Sequence, residues 1–223
     1  LNISKVHTTI VNDYDSNWQQ REFSKNDFGH DYVKRNFTID DVNEEYKKET
    51  GITVEEIFKF FFNGIDKSSK ILELGCNVGL NLDTLKKIGF QNLTGLEINP
   101  QTTEIAKKRN PDINFINSSI EDFFEHNKFD LVFTSGVLIH INPDSINKII
   151  TKIVGLSTKY IFGFEYFSEI LTTIPYRGND NVCWKQNFPL SYKKLFPNIK
   201  TIKEEKFFYI NNELCDIAYL LEK

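Results

Sequence analysis

Residues 71–82 read Ile71-Leu72-Glu73-Leu74-Gly75-Cys76-Asn77-Val78-Gly79-Leu80-Asn81-Leu82, and this stretch decides the fold. Lys70–Leu74 is a short apolar strand. Leu80–Ile88 reads as a helix that Gly89 can close. The two glycines between them let the backbone approach a ligand, and the helix N-terminus favours negative charge. A dinucleotide-binding turn has the spacing G-x-G-x-x-G. Counted from Gly75, that spacing demands glycine at 77 and 80, where the chain has Asn77 and Leu80. The pattern is instead E-x-G-x-x-x-G, with Glu73 inside the strand end.

Outward from this turn, strands and helices alternate. Asn92–Leu96 is a second strand, and Asn99 caps a helix with Pro100 at its first position. Ile113–Asn117 is a third strand, Glu121–Glu125 a short helix, and Phe129–Thr134 a fourth strand, apolar on both faces as a central parallel strand should be. Asn142 and Pro143 start a helix with Ile146, Ile149, Ile150 and Ile153 on one face, and Tyr160–Phe164 is a fifth strand. Lys200–Ile210 and Glu213–Leu221 flank Asn211-Asn212, a hairpin turn. The expectation is an α/β, Rossmann-like fold: a seven-stranded, mostly parallel sheet with a C-terminal antiparallel hairpin. Residues 63–223 form this single core, and residues 1–62 form a helical and irregular extension serving as a lid. Within the extension, Thr53 and Glu56 form a capping box for a helix to Phe62.

Composition narrows the classes. Of 223 residues, 40% are hydrophobic and 26% charged, with 20 Phe and 9 Tyr, so a packed core is available and disorder is excluded. The net charge of −4, without a basic block, argues against nucleic acid as a partner. Three scattered cysteines, Cys76, Cys183 and Cys215, make neither a disulfide framework nor a zinc spacing, which fits a reducing cytoplasmic setting. No apolar run reaches the roughly 20 residues that span a bilayer, so a membrane partner is not expected.

The pattern E-x-G-x-x-x-G resembles motif I of the class I S-adenosylmethionine-dependent methyltransferases. That family usually has a further glycine at the position of Asn77, and Asn is the next-best residue for a left-handed backbone. The resemblance implies the fold just read and S-adenosyl-L-methionine as cofactor, with S-adenosyl-L-homocysteine as product. It assigns Glu73, Gly75, Cys76, Asn77, Gly79, Asn81 and Leu82 to cofactor binding. Glu97, 22 residues after Gly75, takes the ribose hydroxyls, beside Ile98. Ser119 and Ile120 flank the adenine, and Ser135, Gly136 and Val137 line the methionine end. His140 follows as the candidate general base, since a neutral imidazole accepts a proton near pH 7. Glu165 and Tyr166, at the end of the fifth strand, are the second catalytic candidates. No metal-ligand constellation is visible.

Two outer segments resemble the pseudaminic acid biosynthesis-associated methylases. Phe28-Gly29-His30-Asp31-Tyr32-Val33-Lys34-Arg35-Asn36 matches their F-G-x-x-Y-x-x-R-N element, and Phe164–Phe167, Ile174–Asp180 and Trp184–Lys185 match the region after the fifth strand. Phe28 and Tyr32 are suited to close over the sulfonium by cation–π contact, and Arg35 to pair with a carboxylate. Tyr176, Arg177, Asp180, Trp184 and Lys185 supply the cations, carboxylate and aromatic faces that an anionic sugar requires. The expected activity is methyl transfer, as O-methylation, to a small anionic carbohydrate or nucleotide-linked sugar of a bacterial surface-glycan pathway such as nonulosonic acid or capsule synthesis. The alternatives are another small-molecule or protein acceptor, or a non-catalytic subunit that binds S-adenosylmethionine.

Overall fold

A computed structural model describes residues 38–223 apart from 126, 127 and 177. The side chain of Thr38 accepts the Asp41 N–H and starts α1, Ile39–Thr50, which Gly51 ends in the left-handed conformation. Thr53 and Glu56 form the expected reciprocal capping box for α2, Val54–Phe61. The apolar face of α2 buries Ile57, Phe58 and Phe61 completely. Phe58 and Phe62 meet Phe133 and Phe162 of the sheet at ring-centroid distances of 5.1–6.1 Å. Such edge-to-face pairs each contribute roughly 0.5–1.5 kcal/mol beyond burial. α2 is therefore a layer of the core. The part of the expected lid before Thr38 lies outside the described residues.

The sheet begins with β1, Lys70–Leu74, followed by α3, Leu80–Lys87. Then come β2, Asn92–Glu97, α4, Pro100–Arg109, and β3, Asn114–Asn117. β4 is Phe129–Ser135, α5 is Ile146–Leu156 and β5 is Ser157–Tyr166. An arm follows, with β6, Thr172–Thr173, paired antiparallel to β7, Trp184–Lys185. The chain ends with α6, Phe188–Leu195, β8, Lys200–Phe208, and β9, Cys215–Glu222. The seven-stranded order is β3-β2-β1-β4-β5-β9-β8. The first five strands in that order run parallel, and β9 lies antiparallel to both β5 and β8.

Alternation along the strands separates two cores. Leu131, Phe133 and Phe162 pack with the residues of α2 and α3, while Val132, Ile161 and Tyr219 pack with those of α5 and α6. The chain crosses from one half of the sheet to the other between β1 and β4. At such a switch point the loops after the strands diverge and leave a crevice at their carboxyl ends.

Two local expectations are corrected. Residues 121–125 are not helical: the Ser119 hydroxyl accepts the Asp122 N–H and donates to the Asp122 carboxylate, closing a turn instead. The β8–β9 connection is wider than Asn211-Asn212, because Tyr209 N–H pairs with the Leu214 carbonyl and the Asn212 side chain accepts the Leu214 N–H inside the loop. The β6–β7 arm was not expected, since two-residue strands are too short to show a period. No helix among the described residues is long and apolar enough to cross a membrane.

Candidate cofactor and active site

The turn after β1 is held by the neighbouring strand: the N–H groups of Gly75 and Cys76 both donate to the Leu96 carbonyl, at 2.8 and 2.9 Å. Gly75 has φ 71°, and a Cβ there would lie 2.6 Å from Val137 Cγ2. Gly79 has φ 82°, and a Cβ there would lie 2.8 Å from the Phe115 ring. Both positions thus require glycine for conformation and for space. Asn77, where a third glycine was the usual residue, takes φ 50°. Leu82 is fully buried behind this turn and Cys76 is nearly so, so both shape it from within.

Glu97 ends β2 with its carboxylate turned to the same loop. Oε2 accepts the Asn77 N–H at 3.0 Å and Oε1 accepts the Asn99 N–H at 2.8 Å. Burial raises its pKa, and these N–H contacts oppose the rise. A carboxylate offers about four acceptor positions; the Ile98 N–H also favours the ionised form, and acceptor capacity is left for a further donor. Glu73, 1% exposed, accepts from the Asn81 amide at 2.7 Å. Its Oε2 and the Asn77 Oδ1 are buried without a hydrogen-bond partner. Burial pushes the Glu73 carboxyl well above its usual range. The end of β3 closes this side: Asn117 donates to the Glu97 carbonyl at 2.8 Å and Ser118 N–H to the same oxygen at 3.1 Å. Ser119 and Ile120 follow as buried residues, and Ile98 is half-buried.

Across the switch point, Ser135 ends β4 half-buried and Gly136 N–H donates to the Phe164 carbonyl at 2.8 Å. Val137 leans on Gly75 and leads into a single 3₁₀ turn, Leu138–His140. His140 Nδ1 lies 2.7 Å from the Val182 carbonyl. A carbonyl only accepts, so the hydrogen sits on Nδ1 and Nε2 is the basic nitrogen of the neutral ring. Tyr176 stands against that ring at 5.0 Å, nearly edge-on.

The arm after β5 therefore reaches the turn that carries His140. Tyr176 pairs with Asn179 in an isolated bridge, Asp180 is exposed, Lys185 is half-buried on β7, and Trp184 is 7% exposed. That burial makes Trp184 a support of the arm more than an open stacking face. Tyr166 is half-buried at the end of β5, opposite Asp216 of β9. Glu165 is 2% exposed, and burial pushes its carboxyl up to about 7. Phe28, Tyr32, Arg35 and Arg177 lie outside the described residues.

Sequence reasoning missed one further buried carboxyl. Asp216 Oδ2 accepts the hydroxyls of Tyr46 at 2.8 Å and Tyr209 at 3.1 Å, and burial pushes it up to about 7. The available signal was a lone acid inside the apolar run Cys215–Leu221.

Comparison with known proteins agrees with this geometry. A family model described as a methyltransferase domain matches residues 71–158, from β1 into β5. Over 82 residues the chain is 32% identical to malonyl-[acyl-carrier protein] O-methyltransferase 1 of Ilyobacter polytropus, covering 35% of this chain and 31% of that protein. Over 143 residues it is 29% identical to the ubiquinone biosynthesis O-methyltransferase of Rickettsia typhi, covering 56% of this chain and 57% of that protein. The chain thus spans about a third to somewhat over half of these curated relatives. The crystal structure of magnesium protoporphyrin IX methyltransferase from Synechocystis PCC 6803, with S-adenosylhomocysteine bound, superposes with a TM-score of 0.68 at 14% identity, covering 94% of this chain and all of that one. The fold is the Rossmann-like methyltransferase fold.

Proposed function

We propose that the protein is an S-adenosylmethionine-dependent methyltransferase acting on a small acceptor. The observation that carries this reading is the Glu97 carboxylate. It is fixed by backbone N–H groups beside the left-handed Gly75–Gly79 turn, with acceptor capacity left for the ribose. The unpartnered Glu73 and Asn77 oxygens give the same cradle acceptors for an ammonium. S-adenosylmethionine supplies the chemistry as an electrophilic methyl on a sulfonium.

The chain's own residues orient and deprotonate. Val137 packs the turn after β4 against the turn after β1. His140, its tautomer fixed by Val182, takes the proton of an attacking hydroxyl at Nε2. Tyr166 and Tyr176 border the acceptor from the β5 side. Much of the acceleration comes from holding acceptor and methyl in line.

An oxygen acceptor is favoured because both curated relatives are named O-methyltransferases. For the acceptor we infer a small anionic carbohydrate, free or nucleotide-linked, of a surface-glycan pathway. The segments resembling the pseudaminic acid-associated methylases and the polar arm from Tyr176 to Lys185 support that choice. A carrier-linked acid is the second reading, on the name of the Ilyobacter relative.

The test is mass spectrometry of incubations with methyl-labelled S-adenosylmethionine and panels of sugar nucleotides, sugar acids and acyl-carrier-protein thioesters. A labelled sugar is the expected product. Labelling of the thioesters alone would reject the carbohydrate. Replacing His140 by Ala should lower turnover roughly 10²–10⁴-fold while leaving S-adenosylhomocysteine affinity intact.

A further inference from the structure

We propose that Glu165 is a positioning residue: its buried carboxylate holds the turn 136–140, which carries His140, against the glycine turn after β1. What that turn does rests on the methyltransferase reading above.

Glu165 sits on β5 beside the end of β4. Its Oε1 accepts the Val137 N–H at 3.3 Å. The N–H groups of Leu138 and Ile139 also favour its ionised form. One strand residue earlier, the Phe164 carbonyl takes the Gly136 N–H. Consecutive residues of β5 thus grip consecutive residues of the turn. Val137, gripped by Glu165, is the residue in contact with Gly75. His140, at the far end of the same turn, is held from the other side by Val182. At 2% exposure Glu165 does not reach an acceptor itself.

The groups that face Glu165 are Cys183 before β7, Tyr192 of α6 and Tyr219 of β9. Burial raises all three, so they are neutral near pH 7 and none offers a cation. The Val137 N–H is therefore the hydrogen bond that holds the carboxylate, whose Oε2, like the Thr134 hydroxyl, is buried without a hydrogen-bond partner. Such charge-assisted contacts are stronger than neutral ones. Because the carboxyl is pushed up to about 7, falling pH protonates it and weakens its hold on the turn.

The experiment compares wild type, Glu165→Gln and Glu165→Ala by calorimetric titration with S-adenosylhomocysteine from pH 5.5 to 8.5. It also compares them by ¹⁵N NMR of the His140 imidazole. Wild-type affinity should fall about tenfold as pH drops through 7, the size expected for one charge-assisted contact. Glu165→Gln should lose that component of the pH dependence. Glu165→Ala should bind about tenfold more weakly at pH 8 and lose the single Nδ1–H signature of His140. An unaltered pH profile in Glu165→Gln, or a wild-type His140 spectrum in a folded Glu165→Ala, overturns the proposal. If wild type binds no S-adenosylhomocysteine, the methyltransferase reading fails, while the His140 spectra still decide the role of Glu165. If Glu165→Ala does not fold, the Gln variant decides it.

Discussion

A single methyl group separates a working glycine turn from a blocked one. Gly75 combines φ 71° with a space in which a Cβ would lie 2.6 Å from Val137. Gly75→Ala must strain the backbone and push away the turn that carries His140. The expected cost is roughly 1–3 kcal/mol of stability with at least a tenfold loss of S-adenosylhomocysteine affinity. Thermal unfolding and calorimetry check both, and wild-type values would show that the two turns are not coupled here. Glu73, Gly75, Gly79 and Glu97 were legible in the sequence because motif spacing specifies backbone geometry directly. The burial of Glu165, read as a second candidate base, was not legible, since a strand-end acid looks the same in sequence whether it faces solvent or a buried turn. The role of Val182 was invisible, because a carbonyl acceptor leaves no mark on residue identity.

At the scale of elements, α1 is tied to the C-terminal hairpin through a carboxyl. Tyr46 of α1 and Tyr209 of the hairpin loop both donate to Asp216 of β9, and Ile210 N–H reaches the Glu49 carbonyl at 2.7 Å. Burial pushes Asp216 from 3.8 to about 7. An acid raised in the folded state retains its proton where the unfolded chain has lost it, so stability falls as pH rises between these values. Asp216→Asn removes that slope. The difference in unfolding free energy between wild type and variant should shift by about 3 kcal/mol from pH 5 to pH 8, against the wild type. Denaturant unfolding at several pH values measures it, and parallel curves would place the proton elsewhere. The helix caps at Thr53 and Asn99 were readable because capping is local chemistry. The Tyr46–Asp216 tie spans 170 positions, and nothing local encodes it.

At the scale of the whole molecule, the seven-stranded sheet followed from alternation of strand and helix, and the crevice from where the strand order reverses. In sequence α2 looks like an independent capped helix, and its place in the core shows only once Phe58, Phe61 and Phe62 are seen packed against the sheet. The β6–β7 arm stayed hidden because its strands are two residues each. What the molecule assembles is two strand ends facing each other across a switch point, one offering a glycine turn and Glu97, the other His140. The most direct measurement of that account is calorimetric titration of wild type and Glu97→Ala with S-adenosylhomocysteine. The wild type should bind, and the variant should bind about ten- to a hundredfold more weakly, the loss expected for a charged acceptor of buried hydrogen bonds. Absence of binding by the wild type, or equal affinity in the two proteins, would contradict it.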